Sequence, residues 1–120
     1  MTKKALLIID HGSKRSRAND MLKDIVSLLR QQRPELIIHG AHMELAAPSI
    51  ADGVQACVDD NATHIVAHPY MLSPGRHSME DIPKMVNDAL LRHDGVTGEV
   101  TAPLGVDISL AELILKRANL

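Results

Sequence analysis

One short apolar run constrains the fold most. Ala5-Leu6-Leu7-Ile8-Ile9 is unbroken by any polar residue, with Lys3-Lys4 before it and Asp10-His11-Gly12-Ser13 after it. A strand with one wet face alternates apolar and polar residues. A continuous run marks a strand buried on both faces, as in a parallel sheet between layers of helices. The next segment has a different period. Ser16 to Gln32 places Ala18, Met21, Leu22, Ile25, Leu28 and Leu29 on one helical face, and Pro34 follows its end. Leu36 to Met43 is a second strand, interrupted by Gly40. A helix from about Ser49 turns Ile50, Val54, Cys57 and Val58 inward and ends at Asp59-Asp60-Asn61. His64 to Met71 is the third strand. Met79, Ile82, Met85, Val86, Ala89 and Leu90 then recur at helical spacing as far as about His93, before Asp94-Gly95. Glu99 to Leu104 is a weaker fourth strand. Ile108 to Ala118 is a final helix expected to turn Ile108, Ala111, Ile114, Leu115 and Ala118 inward. Strand and helix in turn, four times, predict an α/β fold. Its sheet is mainly parallel and four-stranded, flanked by helices with right-handed crossovers, in a single domain over 1–120.

Composition narrows the function. The net charge of -2 gives no general attraction to nucleic acid, and one Tyr with no Phe or Trp leaves almost nothing for bases to stack on. The lone Cys57 cannot form an internal disulfide, which favours a reducing compartment. Met1-Thr-Lys-Lys leads into too short an apolar run for a signal peptide, and no run approaches the roughly 20 residues that span a bilayer. The expectation is a soluble cytoplasmic protein that binds neither nucleic acid nor membrane. There is no Gly-x-Gly-x-x-Gly, no Walker A lysine and no Gly-x-Ser-x-Gly elbow, so nucleotide binding and serine hydrolysis lack support. Cys57 falls on a core helix face, where a Cys-His nucleophile does not belong.

Parallel strands put their carboxyl ends on one edge, where open α/β sheets bind their ligands. His11 follows the first strand, Glu44 the second and His77 the third. Two imidazoles and a carboxylate form a common ligand set for a divalent first-row metal, and the same groups accept protons. Each has a plainer reading alone: His11 as a turn residue, Glu44 as an exposed loop acid, His77 as a local helix-start residue. Convergence at one edge is what unites them. His77 closes the turn Ser73-Pro74-Gly75-Arg76, and Glu80 and Asp81 suit the first turn of the helix that follows. His39 and His42 are three apart on a strand and point to opposite faces. His64 reads as a surface residue, His68 equally as a core or a supporting histidine, and His93 as a helix-end residue. Lys14, Arg15, Arg17 and Arg76 gather on the same edge. Cations at a helix start are mildly unfavourable, and an anionic substrate above the site would offset this. Tyr70 reads first as a packing residue.

Three segments together resemble the sirohydrochlorin chelatases, the class II chelatases: His11-Gly12-Ser13 after an apolar strand, Glu44-Leu-Ala-Ala-Pro-Ser49, and Pro69-Tyr-Met-Leu-Ser-Pro-Gly-Arg-His77-Ser-Met-Glu-Asp-Ile-Pro83. The resemblance runs from about residue 5 to 105. It implies insertion of a divalent metal, Co2+ first and Fe2+ next, into a precorrin-derived tetrapyrrole. On that resemblance His11, His77 and Glu44 are the catalytic and metal-handling residues. Ser13, Lys14, Arg15, Arg17, Tyr70 and Arg76 bind the anionic tetrapyrrole. The metal is a substrate and no organic cofactor is implied. Many members hold two such domains around a cleft, so a chain with one is expected to work as a homodimer. Asp10 departs from the usual apolar or small residue before the histidine; it fits either a group that raises His11 basicity or a structural acid. A noncatalytic metal or tetrapyrrole carrier is the alternative. A phospho-acceptor regulatory domain is weaker, because the further acids and lysine it needs cannot be placed.

Overall fold

The computed structural model describes residues 2–73 and 75–120, with the side chains of His77 and Ser78 outside that description. Pro74, at the centre of the expected turn, therefore lies outside the described residues. Among those described, four parallel strands form one sheet in the order β2-β1-β3-β4. They are β1 (Lys4–Asp10), β2 (Ile37–His42), β3 (His64–Pro69) and β4 (Thr97–Val100). Between and after them run α1 (Ser16–Gln32), α2 (Ile50–Asp59), α3 (Ile82–Leu90) and α4 (Ile108–Ala118). A π-helical turn, His77–Asp81, leads into α3.

β1 pairs with both β2 and β3, which explains its unbroken apolar run. Leu7 and Ile9 are buried with Ile50, Val54, Ile65, Ile82 and Val86 in the larger core, beneath α2 and α3. Ile8 points the other way, into a smaller cluster with Leu22, Val26 and Ile38 under α1. Gly40, which interrupts the second strand in sequence, lies beneath α1. A Cβ there would stand 3.1 Å from the Leu22 side chain and 3.2 Å from Val26, so glycine lets the helix approach. Ser49 caps α2 in a reciprocal box. Its hydroxyl accepts from the Asp52 N–H at 3.1 Å, and the Asp52 carboxylate accepts from the Ser49 N–H at 3.0 Å.

Several expectations need correction. The buried stripe of α1 is Leu22 and Val26, with Ile25 and Leu29 half-buried, while Met21 and Leu28 are exposed. The helix is rotated so that its i, i+4 row sits over Gly40, which leaves Met21 and Leu28 on the flanks. Met79 is exposed as well, because the π turn precedes the first α-helical residue that packs, Ile82. The third helix stops at Leu90. β4 covers Thr97–Val100 instead of 99–104, fixed by the pairing of His64 with Thr97 through Ala67 with Val100. Pro103 has no N–H to extend that ladder.

The largest departure is α4. Ile108, Ala111, Ile114, Leu115 and Ala118 are exposed, and of the helix only Leu110 is as much as half-buried. No contact of α4 with the sheet is among the element pairs that pack together in the fold. Each Leu or Ile left in water forgoes about 1.5–3 kcal/mol of burial.

Candidate functional site at the carboxyl edge of the sheet

β1 ends at Asp10 and β2 at His42, directly opposite each other in register. The two chains stay together beyond that point. The Met43 N–H donates to the Asp10 carbonyl at 2.9 Å, and the Glu44 N–H donates to the His11 carbonyl at 3.1 Å. His11 and Glu44 are thus backbone neighbours at the sheet edge, with both residues exposed to solvent. Gly12 makes the contact possible. Its φ is +86°, and a Cβ would lie 1.8 Å from the Glu44 carbonyl oxygen. After Glu44 the chain adopts a left-handed conformation at Leu45, φ 69°, which costs a β-carbon-bearing residue about 1–2 kcal/mol.

The loop after His11 is braced from α1. The Asn19 carboxamide oxygen accepts from the Ser13 N–H at 2.9 Å, and its NH2 donates to the Ser13 carbonyl at 2.7 Å. The Ser13 hydroxyl accepts from the Arg15 N–H at 3.0 Å. Lys14, Arg15 and Arg17 are exposed, and the first turn of α1 has no acidic residue to offset them. The helix N-terminus and these cations together favour an anion.

On the other side of β1 the Tyr70 N–H donates to the Ile9 carbonyl at 2.6 Å, carrying the β1–β3 pairing to the same edge. The Tyr70 ring packs on the α1 cluster. The third strand-end residue, His77, opens the π turn, and its side chain lies outside the described residues. Arg76 is exposed and lies 3.8 Å from Glu80. The His11–Glu44 adjacency is therefore described, while the third member is placed by its backbone alone. Among the described residues no three His, Cys, Asp or Glu groups form a preassembled metal cluster.

A pairing that the sequence did not reveal lies just beneath. His42 is 2% exposed, and its Nδ1–H donates to the Asp10 carboxylate at 2.6 Å. Asp10 therefore engages His42, in the role of structural acid. Its visible signal was weak: a polar residue closing each of two apolar strands, matched only once the register is known. His42 also donates its backbone N–H to the Pro48 carbonyl at 2.8 Å, fastening the far end of the Glu44 loop.

His68 points toward Thr101 on the α1 side of the sheet. The Thr101 hydroxyl donates to the Ala102 carbonyl at 2.9 Å, so its oxygen is left to accept from the His68 Nδ1–H at 2.9 Å. Burial pushes the His68 pKa below its ordinary 6.5, with a smaller opposing effect from a backbone hydrogen bond at Ala102. The folded state then binds this proton less readily than the unfolded chain does. Its stability contribution is complete above pH 6.5 and declines as the pH falls through the lowered folded value. In urea unfolding between pH 7.5 and 5.5, His68→Gln should lose less stability than the parent chain.

The CbiX family model matches residues 5–119. The chloroplastic sirohydrochlorin ferrochelatase of Arabidopsis thaliana is 39% identical over 112 residues, covering 93% of this chain and 50% of that protein. A sirohydrochlorin cobaltochelatase from Methanococcoides burtonii is 29% identical over 121 residues, covering 94% of this chain and 92% of that one. The solved chelatase SirB from Bacillus subtilis subspecies spizizenii, in complex with cobalt, superposes with a TM-score of 0.89 at 26% identity, over 98% of this chain and 50% of that one. The chain spans about half the length of the plant relative and about nine-tenths of the archaeal one. With the family model matched over nearly the whole chain, the chain belongs to the CbiX family.

Proposed function

We propose that this protein is a sirohydrochlorin chelatase, a lyase that inserts a divalent metal into sirohydrochlorin or a closely related tetrapyrrole. Cobalt is the first expected metal and iron the next, in cobalamin or sirohaem formation. The observation that carries the reading is the backbone pairing of His11 with Glu44 at the ligand-binding edge, in a chain whose relatives bear these names.

The chemistry sets what the side chains must do. Two pyrrole N–H protons leave as one M2+ enters, so the site must both present the metal and remove protons. A neutral imidazole does either, but not both at once. His11 and His77 divide these roles, and Glu44 aids proton removal or metal delivery. Lys14, Arg15, Arg17 and Arg76 meet the ring carboxylates, where exposed cations steer an anionic substrate. Ser13 and Tyr70 complete the substrate-facing set. The metal is a substrate and no organic cofactor takes part. The protein acts in the cytoplasm as a homodimer whose second copy supplies the other wall of the cleft. Among the described residues no helix is long and apolar enough to cross a membrane.

The test is an anaerobic absorbance assay with sirohydrochlorin and Co2+, Fe2+ or Ni2+ in turn. Turnover well beyond one equivalent is expected, and the relative rates rank the metals. A spectral change that stops at one equivalent would identify a carrier instead.

A further inference from the structure

We propose that Leu45 is a substrate contact, whose side chain bears on the apolar face of the tetrapyrrole beside the point where Glu44 works. The inference rests on the chelatase reading and adds to it the apolar part of the substrate site.

Leu45 is anomalous in two ways at once. Its φ is 69°, in the left-handed region that a β-carbon disfavours. Among the described residues the only other non-glycine residues with a positive φ are Asn61 and Asn119. Asparagine tolerates this conformation better than other β-carbon-bearing residues, and both stand at helix ends. Asn61 follows the cap of α2, and Asn119 caps α4. Leu45 ends no helix and has no polar side chain to bond its own backbone. Burial does not offset the strain either, because the residue is 58% exposed. An exposed leucine alone is ordinary, and Leu91 at 83% calls for no account. A leucine both strained and exposed is different, since glycine or asparagine would suit the backbone and the water better. Strain of this kind persists where the surrounding structure imposes it, and it gathers at ligand sites.

The surroundings do impose it. The Glu44 N–H is fastened to the His11 carbonyl at 3.1 Å, just before Leu45. Beyond it the Pro48 carbonyl accepts from the His42 N–H at 2.8 Å, and Ser49 bridges to His42 and caps α2. Leu45 therefore stands on a short arch tied at both feet, at the carboxyl edge of the sheet. The position answers a need of the site. Lys14, Arg15 and Arg17 can hold carboxylates at the rim of the ring, but a tetrapyrrole also presents two broad apolar faces. Tyr70 is the one aromatic group at this edge, and its ring packs on the α1 cluster. A ring lying over His11 and Glu44, with its centre open to the metal, brings a pyrrole unit over the residue next to Glu44. Contact there removes apolar surface of both partners from water.

Three substitutions test this. Metal-free sirohydrochlorin is titrated anaerobically into the parent and each variant, its absorbance is followed, and thermal unfolding is recorded alongside. Leu45→Ala keeps the left-handed strain and loses most of the side chain. Its Kd should rise about tenfold, the order expected when a leucine side chain is withdrawn from a contact. Leu45→Gly should weaken binding at least as much while melting no lower than the parent, because glycine is at ease at this φ. Leu45→Met keeps an apolar side chain and should recover most of the affinity. Unchanged binding by Leu45→Ala overturns the proposal, and so does a Leu45→Met chain that binds as weakly as Leu45→Ala. A weakening confined to Leu45→Gly overturns it too, because that would report a loosened loop and not a lost contact. A Leu45→Gly chain that melts several degrees below the parent does the same, since the leucine would then be packing within its own chain. The chelatase reading is judged separately, by turnover of the parent. A parent that binds sirohydrochlorin without inserting metal loses that reading and keeps a measurable Leu45 contact; a parent that binds none overturns both.

Discussion

Replacing His11 or His77 by Ala should each lower the rate of metal insertion about 10²–10⁴-fold, the range that positioned acid–base groups contribute. Insertion exchanges two ring protons for one metal ion, so the reaction stalls if either task lacks a group. His11 is exposed at the end of β1 and its carbonyl, not its ring, holds the Glu44 backbone. Its imidazole can therefore be removed with little structural cost, and His11→Ala should melt within a few degrees of the parent. The pairing of a large rate loss with an unchanged melting temperature is what separates chemistry from folding. Glu44→Gln keeps the backbone pair and the side-chain shape, and should produce a smaller rate loss. If His11→Ala and His77→Ala both turn over near the parental rate, the assignment of these residues is wrong.

Gly12→Ala should have the opposite signature, losing stability and activity together. Its φ of +86° already disfavours any β-carbon, by about 1–2 kcal/mol in the left-handed region. The larger difficulty is the neighbour. The new methyl would stand 1.8 Å from the Glu44 carbonyl oxygen, 3.0 Å from its carbonyl carbon and 3.1 Å from the His42 Cβ. Those are backbone atoms and the root of a buried side chain, so no rotamer change relieves the clash. The His11 and Glu44 segments must separate, and the Asp10–His42 pair beneath them is strained with them. A loss of about 2–4 kcal/mol is expected, lowering Tm by roughly 10 °C in a chain of this size. Thermal unfolding followed by circular dichroism measures it. An unchanged Tm would mean that the two loops are not in contact.

The fold was legible where one physical signal dominated. An unbroken apolar run in β1 required a strand covered on both faces, and the alternation of periods required parallel crossovers. Once the strands were parallel, the residues after each one had to share an edge, which is why His11, Glu44 and His77 could be singled out without any being close in sequence. What depended on register stayed hidden. Asp10 and His42 are strand-end residues that meet only because β1 and β2 pair Asp10 with His42, and no local pattern announces a one-to-one match across a crossover. α1 showed that an amphipathic face names a side of a helix, not its centre. Leu22 and Val26 took the core, and Met21 and Leu28 did not. α4 failed for a further reason. Its apolar stripe is real, and periodicity reports that a helix buries a face without saying whether its own chain supplies the cover.

The central claim is that three strand ends form one metal-handling edge. Its most direct test is an anaerobic Co2+ titration of the protein without tetrapyrrole, followed through the visible d–d bands, for the parent and for His11→Ala, Glu44→Gln and His77→Ala. The expected result is a saturable band in the parent that is lost or displaced in each of the three variants. A band that survives unchanged in all three would contradict the claim and place the metal elsewhere on the chain.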